Sequence, residues 1–121
     1  EEALKSFEAA GRNRAGVGAR AFFMIGDVYF KQKQFAEAIK QFDRTLLRFD
    51  TEDAKPWQAL SAYEAGRCKE VLAEEAKDAE VKKELVRQAI DYYQRIVDVY
   101  SQTDRVEMAK SRITELMKLL Q

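Results

Sequence analysis

Between Ala21 and Leu46 the chain carries two apolar stripes of helical period, separated by a short polar break. In Ala21-Phe22-Phe23-Met24-Ile25-Gly26-Asp27-Val28-Tyr29, the residues Phe22, Ile25, Gly26 and Tyr29 fall at i, i+3, i+4 and i+7. That spacing makes one face of a helix. After the polar turn Lys31–Gln34, a second face is made by Phe35, Ala38, Ile39, Phe42 and Leu46. Gly26 and Ala38 are small where two such helices come closest, so the segment reads as a helical hairpin with its crossing point specified. Leucine at Gly26 would overpack that crossing. Alanine there is expected to be tolerated, because it is the better helix former.

Composition agrees with helix. One Pro and five Gly in 121 residues leave few breakers, and 46% apolar with 35% charged residues describes a chain that buries a modest core. Lys+Arg and Asp+Glu are 21 each, so no net field draws the chain to nucleic acid or to an anionic membrane. The longest non-polar run in the lead helix, Ala21–Gly26, is far too short to span a bilayer. A lone cysteine cannot form an internal disulfide, which leaves the redox compartment open. There is no initiator Met and no signal-like start. The chain begins inside a pattern and is expected to be a piece of a longer array.

The lead hairpin resembles the tetratricopeptide repeat: an aromatic, then an aliphatic residue and Gly at +3 and +4, Tyr at +7, and Ala38-x-x-x-Phe42 in the second helix. Residues 1–10 hold Ala3, Phe7 and Ala10 at similar spacing and read as the second helix of an earlier repeat. Gly11–Gly18 reads as a linker, with Gly11, Gly16 and Gly18 breaking helix and with Arg12 and Arg14 as solvated loop charge. The repeat proper spans 19–50. Asp53 is predicted to cap the next helix, with Pro56 in its first turn.

An extended repeat follows over 54–101. Its first helix has the predicted buried stripe Trp57, Leu60, Ala65, Cys68 and Leu72, with Gly66 in the role of Gly26. Its second has Leu85, Ala89, Tyr93, Ile96 and Tyr100, with Ala89 and Tyr93 in the roles of Ala38 and Phe42. Gly26 to Ala38 is 12 residues but Gly66 to Ala89 is 23, a surplus of 11. Lys69–Arg87 is rich in helix formers, so the surplus is assigned to two lengthened helices rather than a loop, adding roughly 8 Å to the hairpin. Its tip is predicted near Lys77–Glu80. A closing helix over 104–120 has Asp104 and Glu107 at capping-box spacing and Val106, Ala109, Ile113, Leu116 and Leu120 as its buried stripe. Tyr100-Ser101, Ala109 and Ser111-Arg112-Ile113 are similar to repeats of bacterial envelope proteins, namely the Tol–Pal coordinator and the outer-membrane assembly lipoproteins. Ser101 stands where those repeats have Pro. That similarity favours the bacterial periplasm or cell envelope.

Catalytic chemistry finds few groups to use. Without histidine there is no Ser–His or Cys–His pair, no Glu-x-x-His di-iron ligand set, and none of the usual zinc sites. Cys68 lies on the buried stripe and reads as an inert core residue. Glu74, Glu75, Asp78 and Glu80 interleave with Lys69, Lys77, Lys82 and Lys83 and read as a solvated surface. No cofactor, metal or catalytic residue is assigned.

The expected fold is all-α, a right-handed α-α superhelix of five or six antiparallel helices in a single domain over 1–121. The resemblance implies that first helices line a concave groove. The groove candidates are then Arg20, Phe23, Met24, Asp27, Phe30 and Lys31 from one repeat, and Leu60, Tyr63, Glu64, Arg67 and Val71 from the next. A carboxylate clamp of the chaperone-tail kind is not expected, because its positions hold Phe23, Asp27 and Glu64. The expected function is a non-catalytic scaffold that binds a protein or peptide partner, without nucleic acid or membrane insertion. A structural spacer, or weak self-association through Leu4 and Phe7, is the alternative.

Overall fold

Five α-helices and one 3₁₀ turn account for the described residues, 15–121, of the computed structural model: α1 (Ala15–Lys31), α2 (Phe35–Arg48), the turn Glu52–Ala54, α3 (Lys55–Glu75), α4 (Ala79–Val99) and α5 (Val106–Lys118). Strands are absent among those residues, and the fold is an all-α, tetratricopeptide-like helical repeat. The half repeat expected at residues 1–10, with Leu4 and Phe7, and the charges Arg12 and Arg14 lie outside the described residues.

Each hairpin closes as its crossing residues dictate. α1 ends when Lys33 takes a positive φ of 62°. The Gln34 amide then bonds the Tyr29 carbonyl and the Lys33 amide bonds the Phe30 carbonyl, two carbonyls the helix end would leave orphaned. α1 and α2 pack with Gly26 against the ring of Phe42, and α3 and α4 pack with Gly66 against Tyr93. A Cβ at Gly26 would lie 2.5 Å from Cε1 of Phe42. The geometry opposes the expected tolerance of alanine there: something must shift to admit the methyl, and the atoms it meets belong to the fully buried ring of Phe42.

The second hairpin is the longer one. α3 and α4 have 21 residues each, against 17 and 14 in α1 and α2, and the chain turns between Glu75 and Ala79. Asp78 caps α4, its carboxylate accepting from the amides of Glu80 (2.8 Å) and Val81 (3.0 Å).

Three local readings need correction. Gly16 and Gly18 do not break helix; both lie within α1. Gly18 is buried, and Gly16 lets Asp53 approach so closely that a Cβ would sit 2.8 Å from its carboxylate. Asp53 in turn does not cap α3. Its carboxylate accepts from the Gly16 amide at 3.1 Å and from the Thr51 hydroxyl at 2.5 Å. Those bonds, Thr51's first, hold it below the usual carboxylate range. The Asp104–Glu107 capping box does not form either: Arg105 is the N-cap residue of α5, with no side-chain cap bond. The preceding turn is instead held by Thr103, whose amide and hydroxyl both donate to the Tyr100 carbonyl.

α3 is the central helix, packed on α1, α2 and α4. Its fully buried positions are small or polar: Gln58, Ala59, Ser61, Ala62, Ala65, Gly66, Cys68 and Ala73. The predicted large residues Trp57, Leu60 and Leu72 are only half-buried. Neighbours on several sides leave room only for short side chains where backbones approach, and bulky ones move to the seams. Cys68 is fully buried in this layer, and its thiol is pushed up to about 12 by loss of solvent and, less, by the charge of Glu64. It is protonated, hence unreactive, at neutral pH.

Gln58 does work that its polar side chain did not advertise. Buried at 3% exposure, it donates to the carbonyls of Thr45 (3.1 Å) and Phe49 (2.6 Å). It thereby closes the C-terminal end of α2, where carbonyls lack helical partners. Gln58→Leu is expected to cost about 1–3 kcal/mol, the penalty for buried unpaired acceptors. Urea unfolding measures it, and a variant as stable as the parent would show that water reaches those carbonyls.

Candidate protein-binding cleft

Two aromatic–charge arrays run between successive first helices, and they differ in what they leave free. Between α1 and α3, Phe23 lies between Phe42 and Trp57, with ring centroids 5.8 and 5.9 Å away. Arg20 places its guanidinium 5.7 Å from the Trp57 ring, and Arg67 sits 4.9 Å from the ring of Phe30. Phe30 also meets Phe35 edge-on at 5.5 Å. Asp27 pairs with Lys31 at 3.0 Å, and Glu64 with Arg67 at 2.8 Å. Burial raises the Glu64 carboxyl above its ordinary range, against the pull of Arg67, and the charge of Asp27 adds to the rise. Phe23 and Phe30, both half-buried, thus help seat α1 against α3, with the exposed Arg20 over Trp57 at their edge. Met24 is half-buried beside them.

Between α3 and α5 the arrangement is open. Tyr63 rests on the ring of Tyr93 (5.5 Å), with the Arg105 guanidinium 5.5 Å from its centroid. Glu70, one-sixth exposed, is the node of the cleft. It accepts from the Tyr93 hydroxyl at 2.6 Å and from Nε of Arg112 at 3.2 Å, and a second Arg112 nitrogen meets its other oxygen. This forked pair spans from α3 to α5, and the same carboxylate anchors α4 through Tyr93. Burial, and next the bond to Glu70, push the Tyr93 phenol far above its ordinary value, and the bond to Glu70 raises Arg112 as well. Around this bridge lie two depressions. One, of about 270 Å³, is lined by Arg67, Glu70, Glu74 and Arg112 with Val71 and the two tyrosines. The other, of about 360 Å³, is lined by Tyr63, Met108, Ser111, Glu107 and Arg112. Met108 is 46% exposed there.

Residues 19–51 match the family model of the tetratricopeptide repeat. α1 and α2 are the helical pair of that repeat, and their Gly26–Phe42 crossing recurs as Gly66–Tyr93 in the longer hairpin. No curated protein and no solved structure matches the chain. The comparisons therefore lend no support to the likeness of the closing segment to the Tol–Pal coordinator or the outer-membrane assembly lipoproteins.

Of the groove residues expected on α3, Tyr63, Arg67 and Val71 line the cleft and Leu60 and Glu64 do not, while Glu70 and Glu74, which do, were not among them. The signal was there: 63, 67, 70 and 74 follow i, i+4, i+7 and i+11, one continuous face. Arg105, Met108 and Arg112 could not be placed, because nothing in the sequence states how α5 approaches α3. Among the described residues no cluster of three metal-ligating side chains occurs, and no helix is long and apolar enough to cross a membrane.

Proposed function

We propose that the chain is a non-catalytic interaction scaffold whose cleft between α3 and α5 receives a protein or peptide partner. Tetratricopeptide repeats generally mediate protein–protein contacts. The observation that carries the reading is the pairing of an apolar depression at Tyr63 and Met108 with a charged one at Arg67, Glu70 and Glu74, the two sharing Tyr63 and Arg112. Tyr63 is braced from below by Tyr93 and from the side by Arg105, so it offers a rigid aromatic surface at little entropic cost. Met108 adapts its shape to what it meets. The forked Arg112–Glu70 pair fixes the wall between them, and the rim charges set register and exclude wrong partners.

A random peptide library selected on the chain, with Met108→Asp and Arg67→Ala as counter-selections, tests this. Ligands taken by the parent are expected to lose about tenfold or more on Met108→Asp, as burial of a hot-spot residue implies, while the melting temperature holds because Met108 is exposed. Equal binding to parent and variants would move the site elsewhere. Phe23→Ala, by contrast, is expected to lower the melting temperature, since Phe23 is wedged between Phe42 and Trp57.

The second reading, a spacer or self-associating segment, is favoured by Met117 and Leu119, both more than half exposed near the end of α5. Sedimentation across a concentration series separates the two: a cleft-only scaffold stays monomeric.

A further inference from the structure

We propose that Lys69 and Arg95 form a carboxylate-binding site, distinct from the α3–α5 cleft, that takes a single acidic side chain of a partner protein. Both project into a depression of about 350 Å³ between α3 and α4, with Gln88, Asp91 and Tyr92 as the other lining residues. At 100° per residue, Lys69 leaves α3 well away from the face that carries Tyr63, Arg67, Glu70 and Glu74, so this depression is another surface. Three other half-buried Lys and Arg side chains find carboxylates, as in Lys55–Glu52, Arg105–Asp104 and Arg112–Glu70. Lys69 and Arg95 are both half-buried, yet neither has an ion pair or hydrogen bond among the described residues. The Nε of Arg95 is buried outright with no acceptor. A buried donor without a partner is destabilising, and native proteins keep few of them.

The neighbouring acids define what is missing. Asp91 lines the same depression without a partner, and the hydroxyl of Tyr92, which also lines it, is taken up by Asp43 at 2.6 Å. Gln88 donates outward to Glu84 at 3.1 Å. With Asp91 in the same depression as the two cations the net charge is +1, which suits one carboxylate better than a dianion such as phosphate, and the planar fork of Arg95 matches a carboxylate. Tyr92 supplies the apolar floor against which the methylenes of a glutamate would lie.

NMR titration of the 121-residue chain at constant ionic strength tests the site. The probes are a capped, amidated glutamate-rich peptide, its glutamine counterpart, a neutral peptide with a free C-terminal carboxylate, and inorganic phosphate. The glutamate peptide is expected to give saturable shifts at the amides of Lys69 and of 88–95, and the glutamine peptide none. Lys69→Gln with Arg95→Gln should abolish them, whereas Asp91→Asn should tighten binding about two- to fivefold by removing a like charge. Asp91 is exposed, so that variant stays informative if the double variant folds poorly. Equal shifts from the glutamine peptide, tighter binding of phosphate, or no effect of Asp91→Asn would overturn the site. Shifts from the free C-terminal carboxylate alone would overturn the side-chain assignment and make a chain end the occupant. Each result stands apart from the cleft, where Met108→Asp is the probe.

Discussion

Gly26→Ala is expected to lower stability by about 1–3 kcal/mol, although alanine is favoured over glycine in a helix by about 1 kcal/mol. The two effects oppose each other and geometry decides between them. The new methyl would stand 2.5 Å from Cε1 and 2.7 Å from Cδ1 of Phe42, well inside van der Waals contact. Relief requires either rotating a ring that is fully buried or prising α1 from α2. Gly26→Leu should be worse, since it adds three more carbons to a space that lacks room for one. The cause can be isolated with Phe42→Leu. That substitution alone leaves a cavity, but combined with Gly26→Ala it should cost less than the two single losses added together, a coupling of about 0.5–3 kcal/mol. Gly66→Ala should behave likewise against Tyr93, where Cζ stands 2.6 Å from the new methyl. A chemical-denaturation curve for Gly26→Ala superimposable on the parent's would mean that the crossing is looser than described. The hairpin geometry would then need revision.

Glu70→Ala should produce the second large effect, and it should be local. The substitution removes the acceptor of the Tyr93 hydroxyl and the counter-charge of Arg112 together. Arg112 is more than a third exposed, and water can hydrate its guanidinium. Tyr93 is fully buried, so the loss there carries the penalty of an unpaired buried donor, about 1–3 kcal/mol. Arg112–Glu70 is also a side-chain tie between α5 and α3, so α5 should loosen first. Hydrogen exchange is expected to quicken along α5 well before α1 and α2 respond. Glu70→Gln keeps an acceptor for Tyr93 and should cost distinctly less. Uniform acceleration through all five helices, or none, would show that the Glu70 node is not what holds α5 in place. Because the same pair fixes the wall of the cleft, Glu70→Ala should also weaken any ligand that loses affinity on Met108→Asp.

Much of this was legible along the chain. The all-α class, the lead hairpin and the small residues at both crossings follow from local periodicity and side-chain size, which a helix converts directly into faces. The inertness of Cys68 followed from its place on a stripe. The capping box at Asp104 lost to an equally local turn held by Thr103, but two other readings failed because a residue's partner lies far off in sequence. Gly16 looked like a breaker because its reason, the carboxylate of Asp53, is 37 residues away. Asp53 looked like a cap for the helix beside it and instead serves the start of α1.

What the sequence by itself determined is the set of helices, their apolar faces and the points where glycine admits a ring. Tertiary structure alone decided how α3 is enclosed, and hence that Gln58, Ala59, Ser61, Ala62 and Ala73 join Ala65, Gly66 and Cys68 in its core while Trp57, Leu60 and Leu72 sit at seams. It also decided that Phe23 and Arg20 serve the α1–α3 seam, whereas Tyr63 faces an open cleft, although the two aromatics hold equivalent positions one repeat apart. The physical reason is that equivalent positions share a direction but not a neighbour. Trp57 of α3 fills the space beside Phe23. Beside Tyr63 a depression remains, bordered by Met108 and Ser111 of α5, and Arg105, just before α5, and Arg112 within it reach toward α3.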